Sequence, residues 1–384
     1  MKKSLIALAA LATVSGASMA QVTLSGVMDL GVRYTSAVGS TVSKVSLADA
    51  DAARLIFSAN EDLGGGLRAM VNAQLRFDPT TGYSQGRSVT TNGSANLPAN
   101  LSSVENTARP LFQGETRVGL TGGFGTVMLG RGISALQLPN GGNSDPWGVT
   151  TVAGSVYAAG FATDYAPGGE GRIDRGFWYT SPNISGLTLS ASLSPFKVTG
   201  SAVAGATGAS KTHYSVVAVY SAGPLVVGLG TEQNRAADTL TQLFGNYNAG
   251  VARIFFSTAR VNGGTAAERA NAGTFSAAAS AVPGQSGHVA ADGAISNHTI
   301  GATIPMGALS YRVGYSTWNG TGASTQKTDS KLGLGVRYDL SKRTYVYSDL
   351  AQTSRKNNTG SVTATGNTAN TKNNQFDLGI RHAF

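Results

Sequence analysis

A two-residue alternation of apolar and polar side chains, repeated along the chain, is the feature that most limits the possible folds. In residues 22–34 the even positions are apolar except Gly26, and the odd positions are polar or small apart from Val27. A period of two is typical of a β-strand with one apolar face. About sixteen segments follow this pattern, each near the 9–11 residues of a tilted membrane-spanning strand. We predict strands at 22–34, 49–59, 66–77, 113–121, 125–132, 172–181, 186–195, 212–221, 224–234, 239–248, 251–261, 296–305, 307–318, 330–340, 343–353 and 374–384.

The connections between these segments alternate in length. Tight turns such as Ala222-Gly223 and Ser341-Lys342 are followed by long loops, with one short exception near residues 235–238. We predict the long loops at 35–48, 78–112, 133–171, 196–211, 262–295, 319–329 and 354–373. Turns sorted in this way are typical of outer-membrane barrels. Because an open strand edge in lipid leaves backbone groups unpaired, we expect an all-β fold, a closed antiparallel transmembrane β-barrel.

The composition agrees with a barrel that has lipid on one side and water on the other. Charged residues are 13% of the chain, against about 25% in ordinary domains, and there are 51 glycines. The mean hydropathy is −0.03, as expected when one face of each strand meets lipid and the other meets water. The chain has no cysteine, so a closed hydrogen-bond network rather than disulfides must hold an exported fold together.

The first twenty residues have the pattern of a secretory signal peptide. Lys2 and Lys3 precede an apolar core at 5–14, and Ser18-Met19-Ala20 is a small-residue cleavage site. The alternative is a transmembrane anchor, but that core is shorter than the roughly 20 residues a spanning helix needs. We therefore expect residues 1–20 to be removed after Ala20, and residues 21–384 to form one outer-membrane domain.

The charge balance is basic but dispersed. The formal net charge is +9, and it falls to +7 without Lys2 and Lys3. The basic residues stand singly and form no Lys/Arg-rich run, which argues against nucleic acid and leaves anionic solutes as partners. The sequence contains no recognisable nucleophile, metal or cofactor motif. We therefore predict a protein without enzymatic activity, cofactor or metal.

Several short motifs resemble one known family. They are Glu61 to Leu67, Gly122 to Gly125, Leu129 to Arg131, Tyr338 to Thr344 and Gly379 to Phe384. In this order and spacing they resemble the general diffusion porins of Gram-negative bacteria, most closely the beta-proteobacterial branch. The resemblance covers essentially the whole chain after residue 20. It implies a homotrimer of sixteen-stranded barrels, in contact with outer-membrane lipid and lipopolysaccharide, that passes small hydrophilic solutes and anions.

The resemblance also implies a constriction. The third long loop of the family folds into the barrel, which here would be residues 133–171 with the segment Asp145-Pro146-Trp147-Gly148. The family's wall arginines match Arg54, Arg117 and Arg172, and alternation with neighbouring apolar residues independently turns each one inward. Each could instead pair structurally with a nearby carboxylate. Other arginines that alternation turns inward, at positions expected to be wider, are Arg33, Arg68, Arg76, Arg312 and Arg337.

The expected constriction is poor in acid. In residues 133–171 the carboxylates are Asp145, Asp164 and Glu170, fewer than the family often carries. Inward arginines facing such a loop predict a modest preference for anions.

Arg131 differs from these arginines because alternation with Val127 and Leu129 turns it outward. An outward arginine costs ~2–4 kcal/mol at the bilayer midplane and little near the interface. Two interpretations stay open: Arg131 reaches the lipid headgroups, or it contacts a neighbouring subunit in a trimer.

Two other functions remain as alternatives. A channel specific for an anion or a sugar would need a lysine-rich constriction or a row of inward aromatics, and we expect few of these, Trp178 being the clearest. An outer-membrane phospholipase would need an outward histidine, for which His382 is the only candidate. A further adhesin role of the loops 78–112 and 262–295 is compatible with the sequence.

Overall fold

The computed structural model describes residues 21–36, 43–82, 111–112, 114–148, 150–155, 172–195, 211–235, 237–265, 294–321, 327–357 and 371–384. The predicted signal peptide lies outside the described residues, as do large parts of the predicted long loops, including residues 156–171.

The described residues form seventeen strands and one short helix. The strands are β1 (Gln21–Thr35), β2 (Lys44–Ala48), β3 (Arg54–Gly64), β4 (Leu67–Arg76), β5 (Thr116–Gly122), β6 (Gly125–Gly132), β7 (Ile173–Thr180), β8 (Leu187–Ser194), β9 (His213–Ala222), β10 (Leu225–Gln233), β11 (Thr239–Asn248), β12 (Arg253–Asn262), β13 (Ala294–Met306), β14 (Leu309–Thr321), β15 (Lys327–Asp339), β16 (Thr344–Asn357) and β17 (Thr371–Ala383). The helix, α1, is Gln137–Asn140.

All strands pair antiparallel in one closed sheet. From β3 onward each strand pairs with the next along the chain, and β17 returns to pair with β1, where Leu30 faces Ile380. β2 and β3 lie end to end beside β1 and share one position in the barrel, so the sheet has sixteen positions. The predicted sixteen-stranded antiparallel barrel is confirmed.

The second strand position differs from its prediction. One strand was expected at 49–59, but β2 lies within the predicted loop 35–48, and residues 49–53 interrupt the ladder. The interruption is stabilised by side chains, since Ala50 N donates to Asp29 Oδ1 at 3.1 Å and Arg54 bonds Asp51 at 2.8 Å. Asp29 lies on β1, so this contact between chain segments was not visible from local alternation.

The two faces of the sheet have opposite character. Large apolar side chains are exposed on one face, for example Val118 at 53% and Leu334 at 48%. Polar side chains such as Gln242 and Asp377 are buried on the other. In a soluble barrel the apolar face would turn inward, so this arrangement is that of a barrel whose outer surface meets lipid. Among the described residues, no helix is long and apolar enough to cross a membrane.

Candidate functional site

The segment that follows β6, of which the structure describes residues 133–148 and 150–155, lies against the polar face of the sheet. We call it the 133–155 segment. It begins with an apolar anchor, because Leu136 is fully buried and packs with Val217, Leu240 and Phe244. Burying a leucine side chain is worth about 1.5–3 kcal/mol. This cluster holds the start of the segment in place on an otherwise polar wall.

Four successive strands then contribute one polar contact each. Ser192 of β8 accepts from Ala135 N at 3.1 Å, and Ser215 of β9 accepts from Leu136 N at 2.9 Å. The contacts from β10 and β11 are Ser134 Oγ to Glu232 Oε2 at 2.5 Å and Asn140 Nδ2 to Gln242 Oε1 at 3.0 Å. A buried backbone N–H outside the strand ladder needs a partner, and Ser192 and Ser215 each supply one.

The second half of the segment is held by the last strands. Trp147 Nε1 donates to Asp349 Oδ1 of β16 at 2.6 Å, and Val152 N donates to Asp377 Oδ2 of β17 at 3.0 Å. Lys331 Nζ of β15 donates to the carbonyl of Gly154 at 2.6 Å. The buried carboxylates of this wall are therefore bonded to the segment.

Asp145 is buried within the segment rather than open to solvent. Its carboxylate accepts from Trp147 N at 3.1 Å and from Ser155 N at 3.2 Å, and the residue is 2% exposed. These bonds tie together two turns of the segment. A pore-facing role for Asp145 stays a prediction, and its observed contacts are structural.

Arg54 belongs to a cluster that joins both ends of the chain. Its guanidinium bonds Asp51 at 2.8 Å, and the same carboxylate accepts from Arg381 Nε at 2.9 Å. Two cations therefore share one acid. Arg381 was not among the arginines selected from the sequence, because its partner Asp51 lies 330 residues away.

Arg117 is paired as well. It bonds Glu115, two residues before it, and its guanidinium lies 5.4 Å from the centroid of the Trp178 ring. For Arg54 and Arg117 the structure thus contains the carboxylate pairing that was the alternative interpretation. Pairing does not remove a role in the channel, since both side chains remain partly exposed.

The alternation that predicted the orientation of Arg172 is interrupted in β7. Ile173 and Trp178 both pack with Met128, although strict alternation would put them on opposite faces. Arg175 has φ 53°, and the register between β6 and β7 shifts at Gly130/Gly132, so a β-bulge lies between them. Because the bulge shifts the alternation, Phe177 and Tyr179 do not give the orientation of Arg172. Its place at a constriction stays a prediction.

A group of arginines shares the wall formed by β1, β3, β15 and β17. Arg33 lies 3.6 Å from Asp377, and Arg337 bonds Asp339 at 2.6 Å. The Arg337 guanidinium stacks 3.8 Å from the ring centroid of Tyr345. Alternation had placed Arg33 and Arg337 inward, at positions expected to be wider than that of Arg172. The signal missing from the sequence was the register between neighbouring strands.

Two expectations about aromatic and histidine side chains need correction. The polar face carries more aromatics than Trp178, namely Phe244, Phe255, Trp318 and Tyr347. They are buried, so they do not form an exposed row for sugar binding. His382 is not the only outward histidine, because His298 is exposed beside the outward Ile300 and its Nδ1 is 2.9 Å from Thr258 Oγ1.

Arg131 lies opposite Thr116, on the face that carries exposed Val118, and it forms an ion pair with Asp174. The Arg131 side chain is 15% exposed and that of Asp174 45%. The outer wall thus carries a compensated charge pair at the long-loop end of β6 and β7.

Comparison with known proteins agrees with this architecture. The family described as Gram-negative porin matches residues 7–358. Outer membrane porin protein 32 of Delftia acidovorans is 28% identical over the whole of both chains. The structure of an anion-selective porin from Comamonas acidovorans has a TM-score of 0.72 at 22% identity, covering 95% of this chain and 100% of that one. OmpT of Vibrio cholerae in its trimer form has a TM-score of 0.58 at 13% identity, covering 96% and 100%.

The family match spans most of the chain, and the closed barrel with an apolar outer face has the form that such proteins need. The chain therefore belongs to the Gram-negative porins, and it is an outer-membrane channel for passive diffusion.

Proposed function

We propose that the channel is narrowest between the 133–155 segment and the arginine-bearing wall, and that it passes small hydrophilic solutes with a modest preference for anions. Permeation of this kind needs no chemical step and no cofactor, only a wet lumen with fixed charges. The proposal rests on one observation about how the charges are divided between buried and open positions.

Three acids of this wall are covered, whereas its arginines are partly open. Asp29, Asp349 and Asp377 are each at most 2% exposed and accept hydrogen bonds, the last two from the segment. The Arg33 side chain keeps 27% of its surface against 2% for its partner Asp377, whereas Arg337 and its partner Asp339 keep 37% each. Unit charges about 4 Å apart interact by ~4 kcal/mol at an effective dielectric of ~20. A solute beside Asp377 therefore meets the Arg33 guanidinium before the carboxylate, and beside Asp51 it meets two guanidinium groups, of Arg54 and Arg381, for one carboxylate.

Reversal potentials in planar bilayers under a salt gradient test this proposal. We expect the native channel to favour anions, and Arg54→Gln with Arg381→Gln to move the potential toward cations. Arg260→Gln is the matched control, because Arg260 is exposed on the outer face and its loss should leave the potential unchanged. A native channel that favours cations would overturn the proposal.

We infer that the assembly is a homotrimer in which the Arg131–Asp174 pair lies at or near a subunit contact. The trimer form of OmpT, a protein with the same fold, supports the oligomeric state. The exposed carboxylate of the ion pair supports the location, since a charged pair on an otherwise apolar outer wall is better accommodated against protein or headgroups than in hydrocarbon.

We propose a lipopolysaccharide contact on the outer face of β12 and β13. On β12 and β13, Arg260 and His298 are exposed and lie nearer to the long-loop end than the exposed Ile254 and Ile300 do. Arg260 Nε donates to the neutral oxygen of Asn262 at 3.2 Å, and the described residues give it no carboxylate partner. Thr258 and His298 pair across the strands, and Ser296 faces Arg260, so Arg260 and His298 are diagonal neighbours. A phosphate group of an outer-leaflet lipid would compensate this charge.

We also propose cleavage of the signal peptide after Ala20. The support is the pattern of a basic start, a short apolar core and small residues before Gln21. The intact mass of protein isolated from outer membranes tests it, since a chain that begins at Gln21 has one expected mass and a retained leader has another.

A further inference from the structure

Pro146 and Trp147 of the 133–155 segment rest on a row of glycines. Gly301 of β13 faces Gly314 of β14, and Gly314 faces Gly333 of β15, so the three are directly adjacent across three strands. Glycine inside a strand weakens it by roughly 0.5–1 kcal/mol relative to alanine and often marks a close approach of another part of the chain. Three cross-strand neighbours that are all glycine indicate that another part of the chain packs against the sheet at this place. We call these three residues the glycine row.

The occupant is the tip of the segment. A Cβ atom at Gly314 would lie 2.7 Å from Trp147 Cζ3, and its three nearest atoms would all belong to that indole. At Gly333 it would lie 2.7 Å from the carbonyl oxygen of Ala153 and 3.1 Å from Trp147 Cη2, and at Gly301 it would lie 2.5 Å from Pro146 Cγ. Real Cβ contacts almost never fall below 3.0 Å. Side chains at these positions would therefore push the segment off the wall.

The indole N–H of Trp147 also has a partner in the barrel wall, in addition to the glycines against its ring. Trp147 is 4% exposed, and its Nε1 donates to Asp349 Oδ1 at 2.6 Å. The Arg312 guanidinium lies 5.8 Å from the centroid of the Trp147 ring and 4.0 Å from the same carboxylate. A phenylalanine would fill the space but leave the buried carboxylate without this donor, which typically costs about 1–3 kcal/mol.

We propose that Trp147 is a positioning residue that holds the 133–155 segment at a fixed distance from the barrel wall. The glycine row and Asp349 form the socket that binds Trp147, and through Trp147 they set the width and the selectivity of the pore. This inference rests on the proposed function, in which the 133–155 segment bounds the narrow part of the channel. Trp147 itself is buried and does not touch a solute. It acts by setting how far the segment stands from its wall, and hence how much room is left opposite the arginines.

Gly314 allows a sharp test, because its added methyl group would meet Trp147 before anything else. We expect Gly314→Ala to lower single-channel conductance, as the displaced indole moves the segment into the lumen. We expect Trp147→Ala to produce open-channel fluctuations and a shifted reversal potential, because the segment loses its hold. In the double variant the methyl group enters the vacated space, so Gly314→Ala should have no further effect.

The double variant is the matched control for the effect of alanine on the strand itself. If Gly314→Ala lowers conductance equally with and without Trp147, the methyl group acts on the barrel and the proposal is wrong. Native conductance and reversal potential in Trp147→Ala would also overturn it. Trp147→Phe serves as a second variant if Trp147→Ala does not fold, and we expect a weaker shift in the same direction. Heat-modifiable migration on semi-native gels reports folding of each variant.

The inference and the proposed function fail differently. A native channel without anion preference would overturn the selectivity part of the proposed function, while conductance would still report the coupling of positions 147 and 314. If the channel prefers anions but Gly314→Ala changes the conductance equally with and without Trp147, the proposed function stands and the inference about the socket is wrong.

Discussion

At the scale of single residues, the structure covers some charges of the polar face and leaves others partly open. Asp145, Asp349 and Asp377 are bonded to the 133–155 segment and buried. Arg33 and Arg337 remain partly open. Residue type alone did not distinguish these roles, because a carboxylate beside a lumen has the same identity whether it is covered or exposed.

Arg131 and Asp174 allow a test of the subunit contact. We expect Arg131→Ala to lower the temperature at which trimers dissociate in semi-native gels, because the exposed Asp174 would lose its partner in a region of low water content. The exchanged pair Arg131→Asp with Asp174→Arg should recover part of the loss. Unchanged dissociation in Arg131→Ala would contradict the subunit contact and leave a headgroup contact as the remaining interpretation.

The outer-face cations give a second prediction at this scale. We expect Arg260→Gln to weaken binding of diphosphoryl lipid A about tenfold, consistent with loss of one charged hydrogen bond of roughly 1.5–3 kcal/mol. His298→Gln should act in the same direction. His382→Gln is a matched control, because His382 also pairs with an outward threonine, Thr344, but near the short-turn end. Equal binding of dephosphorylated lipid A would contradict the proposal.

At the scale of elements, the 133–155 segment packs against the inner face of the barrel and is not part of its sheet. Its first turn is held by the apolar cluster around Leu136, its middle by the glycine row, and its end by Asp377 and Lys331. None of these contacts belongs to the strand ladder. Loss of one should therefore loosen the segment without opening the sheet.

Leu136→Ala tests this separation. We expect faster amide exchange in residues 134–140, because truncation of a buried leucine typically costs ~2–5 kcal/mol at the site, while amides of the β9–β11 ladder keep their protection. Leu229→Ala is the control: Leu229 is 55% exposed on the outer face of β10 and has no contact with Leu136 on the polar face. Equal loss of protection in the strands would show that segment and barrel unfold together.

At the scale of the whole molecule, closure between β1 and β17 completes the hydrogen bonding. Gly26 N donates to the carbonyl of Phe384 at 2.9 Å, and Phe384 N donates to the carbonyl of Gly26 at 3.1 Å. In lipid an unpaired strand edge has no water to replace these bonds. The last residue of the chain is thus held against the first strand.

Gly26 lies at the tightest part of this seam. An added Cβ would lie 2.5 Å from Phe384 Cζ and 2.7 Å from the carbonyl oxygen of Arg54. We expect Gly26→Ala to reduce the yield of heat-modifiable barrel on refolding in detergent. Gly123→Ala is the control, since nothing lies within 4 Å of its added Cβ. Native yield in Gly26→Ala would mean that the seam can shift to admit a methyl group.

The sequence by itself determined the strands and their faces, because a strand repeats every two residues and its alternation is local. The sixteen positions, the outward apolar face and the inward orientation of Arg54 and Arg117 could all be predicted from neighbouring residues. The same reasoning does not extend to Arg172, because the bulge at Arg175 shifts the alternation. A single β-bulge leaves no clear trace in an alternating pattern.

The tertiary structure alone decided which distant residues share a site. Arg381 and Arg54 share Asp51, and Pro146 and Trp147 together meet glycines of three strands, because register and closure bring these positions together. Each glycine of the row looks ordinary in its own strand, and each buried aspartate looks like any lumen acid. Register is fixed by pairing over hundreds of residues, so it is a property of the closed sheet and is absent from any local stretch of sequence.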